Sequence, residues 1–108
     1  MVGAYRLGRG KAKALIDRRT KYPGNAAINI IVWSVPKNKG FPEGIKYSYT
    51  LVIKGERVLG YDNSEGKGHH KHFFGREEKI HFTAGMELRK RFLKEADEIR
   101  RMMHNESD

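Results

Sequence analysis

Nine consecutive residues restrict the architecture of this chain more than any other feature. From Ile45 to Ile53 apolar and polar side chains alternate strictly: Ile45, Tyr47, Tyr49, Leu51 and Ile53 point one way, Lys46, Ser48 and Thr50 the other. A period of two places one set on a core and the other in solvent, the signature of a half-buried strand. Lys54-Gly55-Glu56 is a tight-turn signal, and Arg57 to Tyr61 returns as the hairpin partner. Upstream, Ala27 to Val35 is apolar on both faces, with Ile28, Ile30 and Val32 opposed to Ile31, Trp33 and Val35, as expected of a central strand. Lys11 to Asp17 alternates weakly and reads as a first strand, followed by the turn signal Tyr22-Pro23-Gly24-Asn25. Between Val35 and Ile45 the two prolines, two glycines and two lysines of Pro36 to Gly44 mark a loop.

Beyond Tyr61 the pattern changes. Residues 62–78 hold only two large apolar side chains, Phe73 and Phe74, and three glycines, so they read as one long connection of the kind that often carries function. Lys79 to Phe82 adds a short edge strand. Thr83 is placed to cap a helix from Ala84 to about Met103, along which Leu88, Phe92, Ala96, Ile99 and Met103 form an apolar stripe. Glu87 with Arg91 and Asp97 with Arg101 are spaced as i,i+4 ion pairs. The expected fold is α+β: an antiparallel sheet of about 4–5 strands with one long C-terminal helix on a face. Residues 1–10, with three glycines among basic residues, read as a flexible arm, and 11–108 as a single domain of ordinary size.

Charge narrows the function classes. Residues 1–61 carry 12 basic and 3 acidic side chains, whereas residues 62–108 carry 10 of each, so the formal charge of +9 lies entirely in the N-terminal half. A basic surface attracts polyanions, and in the cytoplasm these are mostly RNA, free or in the ribosome, and DNA; an acidic protein would also serve. Lys11, Lys13, Arg18, Arg19 and Lys67 are the candidate contacts, with Tyr61 as a base-stacking aromatic beside Tyr47, Tyr49 and Trp33, although strand aromatics at period two more often fill a core. The absence of cysteine removes disulfides, thiolate metal sites and thiol nucleophiles. No apolar run is long enough to span a bilayer and no secretory leader is evident, which points to the cytoplasm.

Four of the five histidines lie within thirteen positions, at 69, 70, 72 and 81. If residues 70–74 are extended, His70 and His72 project from one face about 7 Å apart and can flank a phosphate. RNA cleavage needs a base for the 2′-hydroxyl proton, an acid for the leaving oxygen and cations for the charge on phosphorus. His70 and His72 supply the first two, Lys71, Arg76 and Lys67 the third, and Asp62 and Glu77 can orient an imidazole. This chemistry needs no cofactor. The same pair suits a divalent metal held by His70 and His72 with Asp62, Glu77 or His81 as a further ligand, and a solvated polar loop fits as well. Gly66-x-Gly68 lacks the complete phosphate-loop pattern.

The run Val58-Leu59-Gly60-Tyr61-Asp62-Asn63, then Gly66-Lys67-Gly68, His70-Lys71-His72 and Gly75-Arg76-Glu77-Glu78, resembles the TumE-like toxin family of toxin–antitoxin pairs; Val32-Trp33-Ser34-Val35-Pro36 and Lys46-Tyr47-Ser48-Tyr49 agree. The resemblance covers about residues 26–94. It implies a cytoplasmic growth inhibitor encoded beside a helix-turn-helix antitoxin, with Tyr61, Asp62, Asn63, His70, His72, Arg76 and Glu77 as the matching motif residues. An RNA target follows by analogy with other small basic toxins. Position 69, commonly acidic in the family, is His69 here, and its role is left open. Three functions therefore compete: a metal-independent endoribonuclease, a non-catalytic module that binds nucleic acid or antitoxin, and a metal-dependent hydrolase. Oligomeric state is also open, a homodimer being one arrangement.

Overall fold

The computed structural model describes residues 6–7, 10–63, 67–82 and 84–107. Two short strands, β1 (Arg6–Leu7) and β2 (Gly10–Lys11), pair with each other as a separate ribbon; the rest of the expected arm lies outside the described residues. The main sheet is an antiparallel meander of six strands in sequence order: β3 (Lys13–Tyr22), β4 (Ala26–Ser34), β5 (Ile45–Ile53), β6 (Glu56–Asp62), β7 (His70–Phe73) and β8 (Arg76–Lys79). One helix, α1 (Gly85–Ser107), follows and packs on β5 and β6. The α+β architecture is as the sequence implies, with six main-sheet strands in place of the expected 4–5.

The extra strands come from the segment read as one long connection. Its second half is a β-hairpin, and the edge strand is Arg76–Lys79, whereas Lys79–Phe82 was expected. The turn is Phe74-Gly75, both at positive φ (48° and 82°), matching Lys54-Gly55 between β5 and β6 (54° and 80°). Two successive left-handed residues give the twist that two-residue hairpins favour, and glycine supplies the second without strain. Thr83, the expected helix cap, lies outside the described residues.

Register divides the sheet cleanly. Ile28, Ile30 and Val32 of β4 oppose Leu51, Tyr49 and Tyr47 of β5, and Tyr49 and Leu51 oppose Tyr61 and Leu59 of β6. These residues meet Leu88, Phe92, Ala96 and Ile99 of α1 in the main core, with Met103 partly buried against it. Burying each large side chain there contributes roughly 1.5–3 kcal/mol. Phe92 sits at the centre, 5.3 Å from the Tyr61 ring and 5.6 Å from that of Tyr49. On the other face no helix packs among the described residues, and a small second cluster forms where Phe41, in the loop before β5, folds onto Trp33 and Val35. Of the expected helix pairs, Asp97 binds Arg101 at 3.1 Å and Arg100 at 2.7 Å, while Arg91 lies over the Tyr61 ring.

Candidate functional site on the open face of the sheet

Alternation along β7 decides which side chains can act together. Tyr61 of β6 pairs with Lys71 and faces the helix, so Asp62 and Gly60 face the open side together with their partners His70 and His72. In β8 the partners of His70 and His72 are Lys79 and Glu77. His70, His72, Asp62 and Glu77 thus converge on one patch, as the sequence suggested.

The two imidazole rings lie 6.5 Å apart with planes inclined by 31°. The His72 Nε2 is 3.1 Å from Asp62 Oδ2. A carboxylate accepts, so the His72 Nε2–H donates to it and the contact orients the ring. Glu77 Oε2 stands between the rings, 3.9 Å from Nε2 of His70 and 3.8 Å from Nε2 of His72. The seat between the imidazoles is therefore already matched to an anion. His70 is 5% exposed and its Nδ1 has no partner among the described residues, whereas the Glu77 side chain is 42% exposed on the outermost strand.

Other candidates stand elsewhere. Lys71, expected beside the histidines, projects to the opposite face, where its Nζ is bound by Glu95 Oε2 of α1. Glu95 Oε1 also accepts the Tyr61 hydroxyl at 2.6 Å. Arg76 pairs with Phe73 and so shares the face of Lys71. Neither cation faces the seat, because successive residues of a strand point apart. Tyr61 is fully buried and cannot stack on a base; burial and then the bond to Glu95 hold its phenol well above its ordinary pKa. Tyr47 and Tyr49 are core residues too, raised chiefly by burial. Arg18 faces the helix side, in a groove with Ile16, Ile30 and Arg89, whereas its neighbour Arg19 pairs with Asn29 on the open side. Lys13 is exposed at the start of β3, Lys67 is exposed ahead of β7, and the Lys11 side chain lies outside the described set, as does Gly66. His81 is exposed beyond β8, and among the described residues no group of three or more His, Asp or Glu side chains is placed to hold a metal ion.

Arg57 was not among the expected site residues, and the role of His69 was left open. Arg57 lies across Gly60: a Cβ added there would meet Arg57 Cδ at 3.1 Å and Nη1 at 3.7 Å. Since Gly60 is the cross-strand neighbour of His72, Arg57 is a cation on the correct face. A shift in register between Leu51 and Val52 turns both Val58 and Leu59 into the core and returns Arg57 to the open side, which strict alternation does not anticipate. In His69, Nε2 meets Glu43 Oε1 at 3.2 Å, so its Nδ1 accepts the Tyr47 hydroxyl at 2.8 Å, and the ring stacks on Phe82. That relay ties the loop before β5 to the approach of β7. Asn63 is likewise a buried staple, accepting from Tyr47 N at 2.9 Å and donating to Ile45 O at 2.8 Å.

No curated protein and no solved structure matches the chain significantly. The family model described as toxin TumE matches residues 7–101, which include the whole sheet and most of α1. With nearly its entire folded length matched, the chain belongs to the TumE toxin family, whose members are the toxin halves of toxin–antitoxin pairs.

Proposed function

We propose that this toxin acts on RNA as a metal-independent endoribonuclease, with His70 and His72 as its acid–base pair. The observation that supports this reading most strongly is the anion-matched seat between the two imidazoles, occupied by the Glu77 carboxylate. A phosphodiester replaces Glu77, which swings out on the exposed edge strand. His72, its ring oriented by Asp62, is then the base that takes the 2′-hydroxyl proton. The 2′-oxygen attacks phosphorus, the bond to the 5′-oxygen breaks, and protonated His70 gives its proton to the departing oxygen. The products are a 2′,3′-cyclic phosphate and a free 5′-hydroxyl. Arg57, beside His72, steadies the charge on phosphorus in place of Lys71 and Arg76.

A toxin of this family has an antitoxin as partner; a helix-turn-helix protein and a cytoplasmic setting complete the proposal. No helix among the described residues is long and apolar enough to cross a membrane.

Purified protein incubated with cellular RNA, with and without ribosomes and with and without EDTA, tests the reaction. Chelator-resistant cleavage leaving cyclic phosphate ends is expected, reduced about 10²–10⁴-fold in His72→Gln, the usual contribution of an acid–base group. Intact RNA under all conditions, with growth arrest persisting in His70→Ala and His72→Ala cells, overturns it. Cleavage abolished by EDTA and restored by a divalent ion replaces it with the metal-dependent reading.

A further inference from the structure

The open face carries more than the histidine seat. Cross-strand register lines up Arg19, Asn29, Thr50, Gly60, His72 and Glu77 in one row that runs across the whole sheet. A neighbouring row holds Lys21, Ala27, Val52 and Arg57. At the β3 end of these rows is a cavity of about 270 Å³ walled by Arg19, Lys21, Ala27, Val52 and Gly55. Its two cations lie far from the histidines in sequence but on the same face.

Arg57 joins the two places. Its cross-strand partner Val52 lines the cavity, and its side chain lies across Gly60, the partner of His72. The track between them is floored by small residues, Asn29, Thr50 and Gly60, with the Asn29 amide 3.4 Å from the Thr50 hydroxyl. Within these two rows the only acidic side chain is Glu77, which already occupies the seat. The acids Asp17 and Asp62 stand one row away.

We propose that the cavity walled by Arg19 and Lys21 is a second phosphate subsite, and that a single strand of RNA runs from it across the open face, past Arg57, to the His70–His72 seat. The proposal rests on the RNA reading above and deepens it by naming the form of RNA and its path. From β3 to β7 is four strand steps of about 4.8 Å, roughly 19 Å. A span of that size is covered by a few nucleotides, within the lengths that one small β-domain holds. The track is built from cations and short polar groups, so it follows a backbone whose bases can turn outward. A duplex presents its phosphates on a cylinder that meets a sheet face along one line only. Contact with backbone phosphates also makes the track tolerant of base sequence.

Binding of fluorescent 2′-O-methyl oligonucleotides, which lack the attacking hydroxyl, tests the track apart from chemistry. Wild-type protein is expected to bind a 10-mer much more tightly than a dinucleotide and more tightly than a duplex of equal sequence. The double variant Arg19→Gln/Lys21→Gln should lose at least tenfold in affinity for the 10-mer, with the slope of log affinity against log salt reduced by about 1.4, or about 0.7 per phosphate contact. Dinucleotide binding should be unchanged. Arg18→Gln/Arg89→Gln removes the same charge from the helix side and should change 10-mer affinity less than threefold. Equal losses in the two double variants, an unchanged slope in the first, or a duplex binding as well as the single strand overturns the proposal. Length-dependent binding without any cleavage of natural RNA retains the track and removes the acid–base reaction; cleavage of long RNA that ignores Arg19 and Lys21 does the reverse.

Discussion

The two faces of the sheet are built by the same strands and use polar groups in opposite ways. On the helix side Lys71 and the Tyr61 hydroxyl are both closed on one carboxylate, that of Glu95. On the open side Glu77 does not close on either histidine, remaining 3.8 and 3.9 Å from their Nε2 atoms. Polar pairing that is complete holds a structure together, whereas pairing that is loose and partly exposed leaves room for a ligand to compete. Lys71, closed on Glu95, and Glu77, held off both imidazoles, illustrate the two.

The contrast is broken or sharpened by substitutions on each face. Phe92→Ala, in the middle of the main core, should destabilise by about 3–5 kcal/mol in denaturant titrations; a loss under 1 kcal/mol would mean that α1 does not organise the helix side. Asp62→Asn, on the open side, should slow RNA cleavage tenfold to a hundredfold while the melting temperature stays within a few degrees, because a neutral amide oxygen is a weaker acceptor for the His72 Nε2–H than a carboxylate. A large stability loss with unaltered cleavage would place Asp62 with the structural polar groups. Glu95→Gln should cost about 1 kcal/mol of stability and leave 10-mer affinity unaltered, since Lys71 faces away from the track. The smallest effect is with pH. Tyr47 and Tyr61 have folded-state pKa values raised above the unfolded value near 10. Below pH 10 both states keep the phenol protonated and stability is level; above it only the unfolded state ionises freely, so stability should fall as pH rises further. Replacing Tyr61 by Phe should shrink that alkaline decline.

What the sequence disclosed and what it hid follow from the same physics. The alternation of Ile45 to Ile53 and the stripe Leu88, Phe92, Ala96, Ile99 are dictated by burial, and they specify the sheet face and helix that form the core. The convergence of His70 and His72 needs only an extended backbone, and 6.5 Å is close to the spacing that two residues of strand allow. The hairpin of β7 and β8 was hidden because β8 is wholly exposed and so shows no apolar period, and because its turn is Phe-Gly, without the usual Asn-Gly signal. Arg57 was hidden by the shift in register beside it, which no periodicity records. Asn63 and Tyr61 stand in the family motif for a structural reason, while Asp62 between them faces the histidines.

The meander adds its strands in the order of synthesis, and this sets when each capability arrives. A chain interrupted before residue 70 already includes β3 to β6, with Arg19 and Lys21 on the first and Arg57 on the last, yet it has neither imidazole of the seat. Under the proposed function, the phosphate contacts are therefore synthesised before the acid–base pair, and a product truncated there would carry the first without the second.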